Sequence, residues 1–110
     1  MPKKKSVSTD SAAAEVMRSA VIKELEDIKS EEIVTIGLNG KSDFADYMIV
    51  ATGRSQRQVG AAAERVRKVA KALSGRAVAV EGLPACDWVL IDTGDVIVHI
   101  FRPEVREFYN

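Results

Sequence analysis

The sequence predicts an α/β domain in which helices pack on a mixed, five-stranded sheet. Two observations carry this prediction. Two segments have apolar residues at helical spacing, and five short runs are rich in β-branched and aromatic residues. Their order is helix, two strands, helix, three strands and a short closing helix, so helices and strands share one core. At 110 residues the chain is long enough for one such core but not for two.

The first helix is predicted to begin at Asp10 or Ser11, because either side chain can cap the free N–H groups of a helix. Residues 1–9 are polar and basic, so we expect a disordered tail before a single domain that spans 10–110. A contact of this tail with nucleic acid stays open for Lys3, Lys4 and Lys5. The helix has one apolar stripe, formed by Met17, Val21, Leu25 and Ile28.

A hairpin is predicted next. Residues 33–38 form the first strand, with Val34 and Ile36 on one side, and residues 45 or 46 to 51 form the second. Asn39-Gly40 between them is the strongest hairpin turn signal in the chain.

The second helix begins after Ser55, which forms a capping-box pair with Gln58, and Gly75 is placed to end it. A short strand over 77–80 follows, and Pro103 suits the first position of a closing helix. The predicted buried stripe of the second helix is Val59, Ala62, Val66, Val69 and Leu73.

The last hairpin, WVLIDTGDVIVHIF over 88–101, is the most apolar stretch of the chain. A two-residue turn at Thr93-Gly94 places Asp92 opposite Asp95 and Trp88 opposite His99. One face is then purely aliphatic, with Val89, Ile91, Val96, Val98 and Ile100. The other face is mixed, with Trp88, Leu90, Ile97, His99 and Phe101. The mixed face is the candidate working surface.

Composition excludes several classes of protein. Sixteen basic and sixteen acidic residues cancel, so there is no long-range attraction to bare nucleic acid, and no direct sequence-specific contact with it is expected. A single cysteine, Cys86, favours a reducing compartment. No apolar run approaches the roughly 20 residues that span a bilayer, and no secretory signal is evident. We expect a cytoplasmic protein that does not enter membranes.

Catalytic patterns are weak. Asp43 and Asp46 could hold Mg²⁺ in a nucleotidyltransferase-like or other small-molecule enzyme, which is the alternative function, but a spacing of three does not aim both carboxylates the same way on a strand. His99 has no second His or Cys with which to complete a metal set. No cofactor or metal is expected.

Two further motifs favour turns. Asp92-Thr93-Gly94 matches the catalytic tripeptide of aspartic proteases, yet a tight turn explains it more simply. Gly40-Lys41-Ser42 resembles the end of a phosphate-binding loop. Such a loop needs a glycine five residues earlier, and this chain has Thr35 at that position.

A longer, ordered set of motifs comprises DYMIVATG-x-S-x-R over 46–57, Glu81-Gly82, the stretch 88–101, and E-x-R-x-FY over 104–109. Together these motifs resemble the Iojap family, also called ribosomal silencing factors. The resemblance implies a homodimeric α/β domain, shaped like nucleotidyltransferases but without their catalysis. It also implies binding to a large-subunit ribosomal protein, number fourteen of the standard series, which sterically blocks joining of the small subunit and represses translation when nutrients are scarce.

Two departures stand out. Many family members have His where this chain has Gln58, and the family usually continues past Phe-Tyr into a short tail, whereas this chain stops at Asn110. If that tail contributes to dimerisation or ribosome contact, we expect either to be weaker here. A blocking factor needs an exposed patch with aromatic anchors and a few charges. The predicted partner-binding residues are Trp88, Leu90, Asp92, His99 and Phe101, with Tyr47 and Asp46 beside them.

Overall fold

The computed structural model describes residues 7–38 and 45–109. The elements are α1 Val7–Asp27, β1 Glu31–Gly37, β2 Tyr47–Thr52, α2 Gln56–Ser74, β3 Ala79–Glu81, β4 Trp88–Asp92, β5 Val96–Phe101 and α3 Pro103–Tyr109. The predicted fold class and element order are confirmed. The strand order is β1-β2-β5-β4-β3; β2 and β5 run parallel and every other neighbouring pair is antiparallel.

Helices α1 and α2 cover one face of the sheet and bury its aliphatic side chains. The α1 stripe is confirmed, since Val21 and Leu25 are fully buried and Met17 nearly so. In α2 the expected burial fails at Leu73, which is 47% exposed. Each fully buried Val, Leu or Ile contributes about 1.5–3 kcal/mol. The α2 residues in the core are Val59, Ala62, Ala63, Val66 and Ala70.

The start of α1 differs from the predicted one. Helix α1 spans Val7–Asp27, so helical structure is already present three residues before Asp10. The predicted helix start at Asp10 or Ser11 is therefore wrong, whereas the domain boundary predicted after residue 9 stays a prediction. Residues 1–6, with Lys3, Lys4 and Lys5, lie outside the described part of the chain.

The capping prediction for α2 holds in one direction. Ser55 Oγ accepts from the Gln58 amide at 3.1 Å. The Gln58 side chain does not return to the cap but donates to the Ile28 carbonyl at 2.8 Å, which fastens α2 to the chain leaving α1. At the other end Gly75 adopts φ 72°, and its amide donates to Lys71 O, as predicted.

The remaining strand ends differ from the prediction by two residues or fewer. Strand β1 starts at Glu31 rather than residue 33, with a register shift between Glu31 and Val34. Strand β3 spans 79–81 rather than 77–80. The predicted Asn39-Gly40 turn, the Gly40-Lys41-Ser42 motif and Asp43 lie outside the described residues.

The register of the last hairpin differs from the predicted one. Asp92 pairs with Ile97, and Trp88 pairs with Phe101. The predicted pairing of Asp92 with Asp95 is therefore wrong by two residues. A shift of two preserves the side to which each residue points, so the division into two faces survives.

The cause of the register shift is Thr93. Its buried hydroxyl accepts from the Val96 amide at 3.0 Å and donates to the Val96 carbonyl at 2.8 Å. Pairing therefore continues to Thr93 and Val96, and the turn falls after Thr93, where Gly94 takes φ 100°. The aliphatic face is confirmed as core: it consists of the fully buried Val89, Ile91, Val96, Val98 and Ile100.

Candidate partner-binding surface

The face of the sheet opposite α1 and α2 carries no helix across its centre; we call it the open face. The strand registers place its side chains in three rows. The first row is Thr52, Phe101 and Trp88; the second is Val34, Val50, His99, Leu90 and Glu81; the third is Ile36, Met48, Ile97, Asp92 and Ala79.

A hollow of about 440 Å³ lies on the open face, towards the β1 side of the sheet. Large apolar side chains there stay in contact with solvent, with Val34 and Ile36 each 44% exposed and Trp88 37% exposed. A contiguous exposed apolar patch marks an interaction site in a soluble domain. The residues that line the hollow are Val34, Ile36, Met48, Val50, Trp88, His99, Phe101 and Arg106.

Three aromatic rings form one side of the hollow. The ring of Trp88 stacks on Phe101 with centroids 5.0 Å apart, and His99 stacks on Phe101 at 5.8 Å. Trp88 Nε1 donates to His99 Nδ1 at 3.0 Å, so the hydrogen of a neutral His99 ring is on Nε2. Burial lowers the pKa of His99, which also favours the neutral ring. His99 and Trp88 are diagonal neighbours, not directly opposite as predicted.

Polar contacts at the end of the hairpin hold these rings. Asp87 and Arg102, which flank Trp88 and Phe101, form an ion pair at 2.8 Å from Nε to Oδ1. Gln56 Nε2 donates to the same Asp87 oxygen at 3.2 Å. The Arg102 guanidinium, and then Gln56, hold the pKa of Asp87 below its usual value. These contacts fix the ends of β4 and β5 that carry Trp88 and Phe101.

Arg106 fastens α3 to the far edge of the sheet. Its Nη1 donates to the Glu32 carbonyl at 2.9 Å and to Thr52 Oγ1 at 2.6 Å. These bonds join α3 to β1 and β2, so Arg106 closes one end of the hollow.

Five of the seven predicted partner-binding residues lie on the open face. Trp88, His99 and Phe101 line the hollow, while Leu90 and Asp92 lie beside it on β4. Asp92 Oδ1 accepts from the Gly94 amide at 2.9 Å, an interaction that stabilises the turn of the hairpin.

Tyr47 and Asp46 are placed differently from the prediction. Tyr47 points to the helix side, where its hydroxyl donates to Glu15 of α1 and Arg18 lies 5.4 Å over its ring. The Glu15 hydrogen bond raises the pKa of Tyr47 and lowers that of Glu15. Asp46 precedes β2 and its amide donates to Asp95 O at 2.8 Å, outside the hollow. The prediction that these two flank the aromatic face is wrong for Tyr47.

Sequence reasoning missed half of the hollow. Val34 and Ile36 were expected to share a side of β1, but nothing indicated that this side stays uncovered. Met48 and Val50 follow from the parallel pairing of β2 with β5, and Arg106 reaches the sheet from the last helix. The family motif over 104–109 included Arg106 and was the available signal.

Neither a metal-ligand cluster nor a membrane-spanning helix is found in residues 7–38 and 45–109. Within these ranges no group of three or more His, Cys, Asp or Glu side chains could hold a metal ion. The helices of these ranges lack the apolar length that a bilayer span requires.

Fold and site together define an α/β domain with one exposed apolar sheet face, which is bounded by the Asp87–Arg102 ion pair and by Arg106. The family model described as "Ribosomal silencing factor during starvation" matches residues 10–110. The chain therefore belongs to the ribosomal silencing factor family, as the motifs predicted.

Known proteins similar to this chain include ribosomal silencing factor RsfS of Zymomonas mobilis. It is 50% identical over 109 residues, which cover 99% of this chain and 80% of that protein. The chloroplastic protein Iojap of Arabidopsis thaliana is 33% identical over 76% of this chain and 35% of its own length. A crystal structure of a Chromobacterium violaceum protein superposes with a TM-score of 0.82 at 38% identity, covering 87% of this chain and 80% of that one.

Proposed function

We propose that this protein represses translation by docking its open face on ribosomal protein number fourteen of the large subunit. Bound there, it occupies space that the small subunit needs and prevents the two subunits from joining. The observation that carries the proposal is the hollow on the open face, found in a chain of the silencing-factor family.

The physical argument rests on what the hollow offers. Trp88 and Phe101 are stacked and Trp88 is hydrogen-bonded to His99, so the rings lose little conformational freedom when a partner covers them. Aromatic residues in such a patch are typical binding hot spots, each able to contribute 2 kcal/mol or more, as a rough guide. Steric blocking needs only this contact, so we propose a regulatory protein without catalysis of its own.

We further propose that the protein works as a homodimer in the cytoplasm, with residues 10–110 as its single domain. The family resemblance supports the dimer. Strand β1 also lies at the sheet edge and can pair with another chain along its outer side. Light scattering of the purified protein at several concentrations tests this: a mass of one chain throughout would contradict it.

Co-sedimentation with separated ribosomal subunits tests the main proposal. We expect the protein to migrate with large subunits alone and to reduce the yield of joined ribosomes when small subunits are added. Trp88→Ala should weaken large-subunit binding about 30-fold, because it removes an anchor worth roughly 2 kcal/mol.

Two controls separate binding from folding. Trp88→Phe keeps a ring that can stack on Phe101 and should retain most of the affinity, whereas Lys68→Ala alters an exposed side chain of α2 on the covered side and should change nothing. Binding of Trp88→Ala at wild-type strength, in a protein with wild-type circular dichroism, would remove the hollow from the site.

A further inference from the structure

The open face is not uniform from one edge to the other. Its apolar hollow lies over β1, β2 and β5, while Glu81 of β3 and Asp92 of β4 occupy the opposite flank. Glu81 pairs with Leu90 and Asp92 pairs with Ala79, so the two carboxylates are diagonal neighbours on adjacent strands. Such neighbours lie about 7–8 Å apart, close enough for one basic side chain to reach both.

Neither carboxylate forms an ion pair within the described part of the chain. Both residues are exposed, and the only polar contact of the two side chains there is the Asp92 bond to the Gly94 amide. Elsewhere most carboxylates are ion-paired, as Glu24 is with Arg65 at 2.8 Å and Glu64 is with Arg67 at 2.6 Å. In the described structure the open face therefore keeps two exposed carboxylates without an ion pair beside an apolar hollow.

We propose that the open face binds a segment, both apolar and basic, of a large-subunit protein. This proposal rests on the proposed function. An apolar side chain of that segment fills the hollow, and a lysine or arginine about 10 Å away, two strand spacings, meets Glu81 and Asp92. Complementary charge at the flank sets the orientation of the segment and speeds its capture.

The same arrangement disfavours the other macromolecules that could cover the face. The phosphates of ribosomal RNA would lie against two carboxylates, and the basic side chain lining the hollow, Arg106, already binds Glu32 and Thr52. The three rows of the open face contain no lysine or arginine, so the open face of a second copy has none there to meet the carboxylates.

The test is a titration of fluorescently labelled protein with purified large ribosomal subunits at several salt concentrations. The double variant Glu81→Gln with Asp92→Asn removes both charges, keeps the size of each side chain, and keeps an oxygen that can accept from the Gly94 amide. Glu26→Gln is the matched control, because Glu26 is an exposed carboxylate of α1 without an ion pair in the described structure. We expect the double variant to bind roughly ten-fold more weakly at low salt and with a flatter salt dependence, and the control to bind like wild type.

Each other outcome overturns the inference. Wild-type affinity of the double variant at every salt concentration would show that the flank does not face the partner. Tighter binding would show that it faces phosphates of ribosomal RNA instead. Weaker self-association of the double variant with unchanged subunit binding would assign the face to a second copy. If wild-type protein fails to bind large subunits, the proposed function fails as well, whereas the first three outcomes leave binding to the large subunit itself intact.

Discussion

Two isoleucines on opposite faces of the sheet provide a matched test of which face is covered. Ile91 of β4 is fully buried under the helices, and Ile36 of β1 is 44% exposed on the open face. Replacing Ile91 with Ala removes three buried carbons and leaves a cavity, so the free energy of unfolding should fall by about 2–5 kcal/mol. The same change at Ile36 removes atoms that are only about half shielded from solvent and leaves no enclosed cavity. The free energy of unfolding should therefore fall by about 1 kcal/mol.

The assay is urea unfolding followed by circular dichroism, with each midpoint compared at an unchanged slope. Binding to large subunits should respond in the opposite order: Ile36→Ala weakens it, and Ile91→Ala leaves it near wild type while the protein is folded. Equal losses of stability at the two sites would refute the assignment of an open face. If the Ile36 loss grew with protein concentration, a second copy would be covering that face.

Two further predictions concern the support of the aromatic rings. Gly82→Ala should destabilise the protein by at least roughly 2 kcal/mol, because Gly82 has φ 104° and a Cβ there would lie 2.2 Å from the Trp88 carbonyl oxygen. The control is Gly75→Ala, which should cost only about 1 kcal/mol, because Gly75 has φ 72° but open space around its Cβ position. Thermal unfolding of the two variants measures the difference. Because burial lowers the pKa of His99, its contribution to the free energy of unfolding should be constant above pH 6.5 and decrease as the pH falls through the lower, folded-state pKa. Urea unfolding between pH 8 and 5 should show this slope in wild type and lose it in His99→Gln; stability that rises towards pH 5 would contradict the neutral, hydrogen-bonded ring.

The division of the last hairpin into two faces was predictable because side chains alternate with a period of two. The predicted pairing was wrong by two residues, since the Thr93 hydroxyl extends the pairing and moves the turn by one residue, yet Trp88 and His99 kept their face. Local rules also sufficed for the Ser55 cap and the Gly75 end of α2. These features depend on residues close together in the sequence.

The contents of the hollow depend on long-range pairing and could not be predicted in the same way. Tyr47 was assigned to the wrong side because the facing of β2 follows from its parallel register with β5, which no local pattern specifies. Exposure of Ile36 depends on where both helices pack. The contact of Arg106 with Glu32 joins residues 74 positions apart. The sequence thus predicted the aromatic half of the site, and the structure supplied the aliphatic half.

We propose that a large-subunit protein covers the open face when the factor is bound. The most direct measurement is site-specific photocrosslinking of the complex with purified large subunits, with the crosslinking side chain placed at Ile36 on the open face or at Lys68 on α2. We predict that the Ile36 probe joins a single ribosomal protein, number fourteen of the large subunit, and that the Lys68 probe does not. Crosslinks from Lys68 with none from Ile36, or crosslinks from Ile36 to ribosomal RNA, would show that the open face does not dock on this protein.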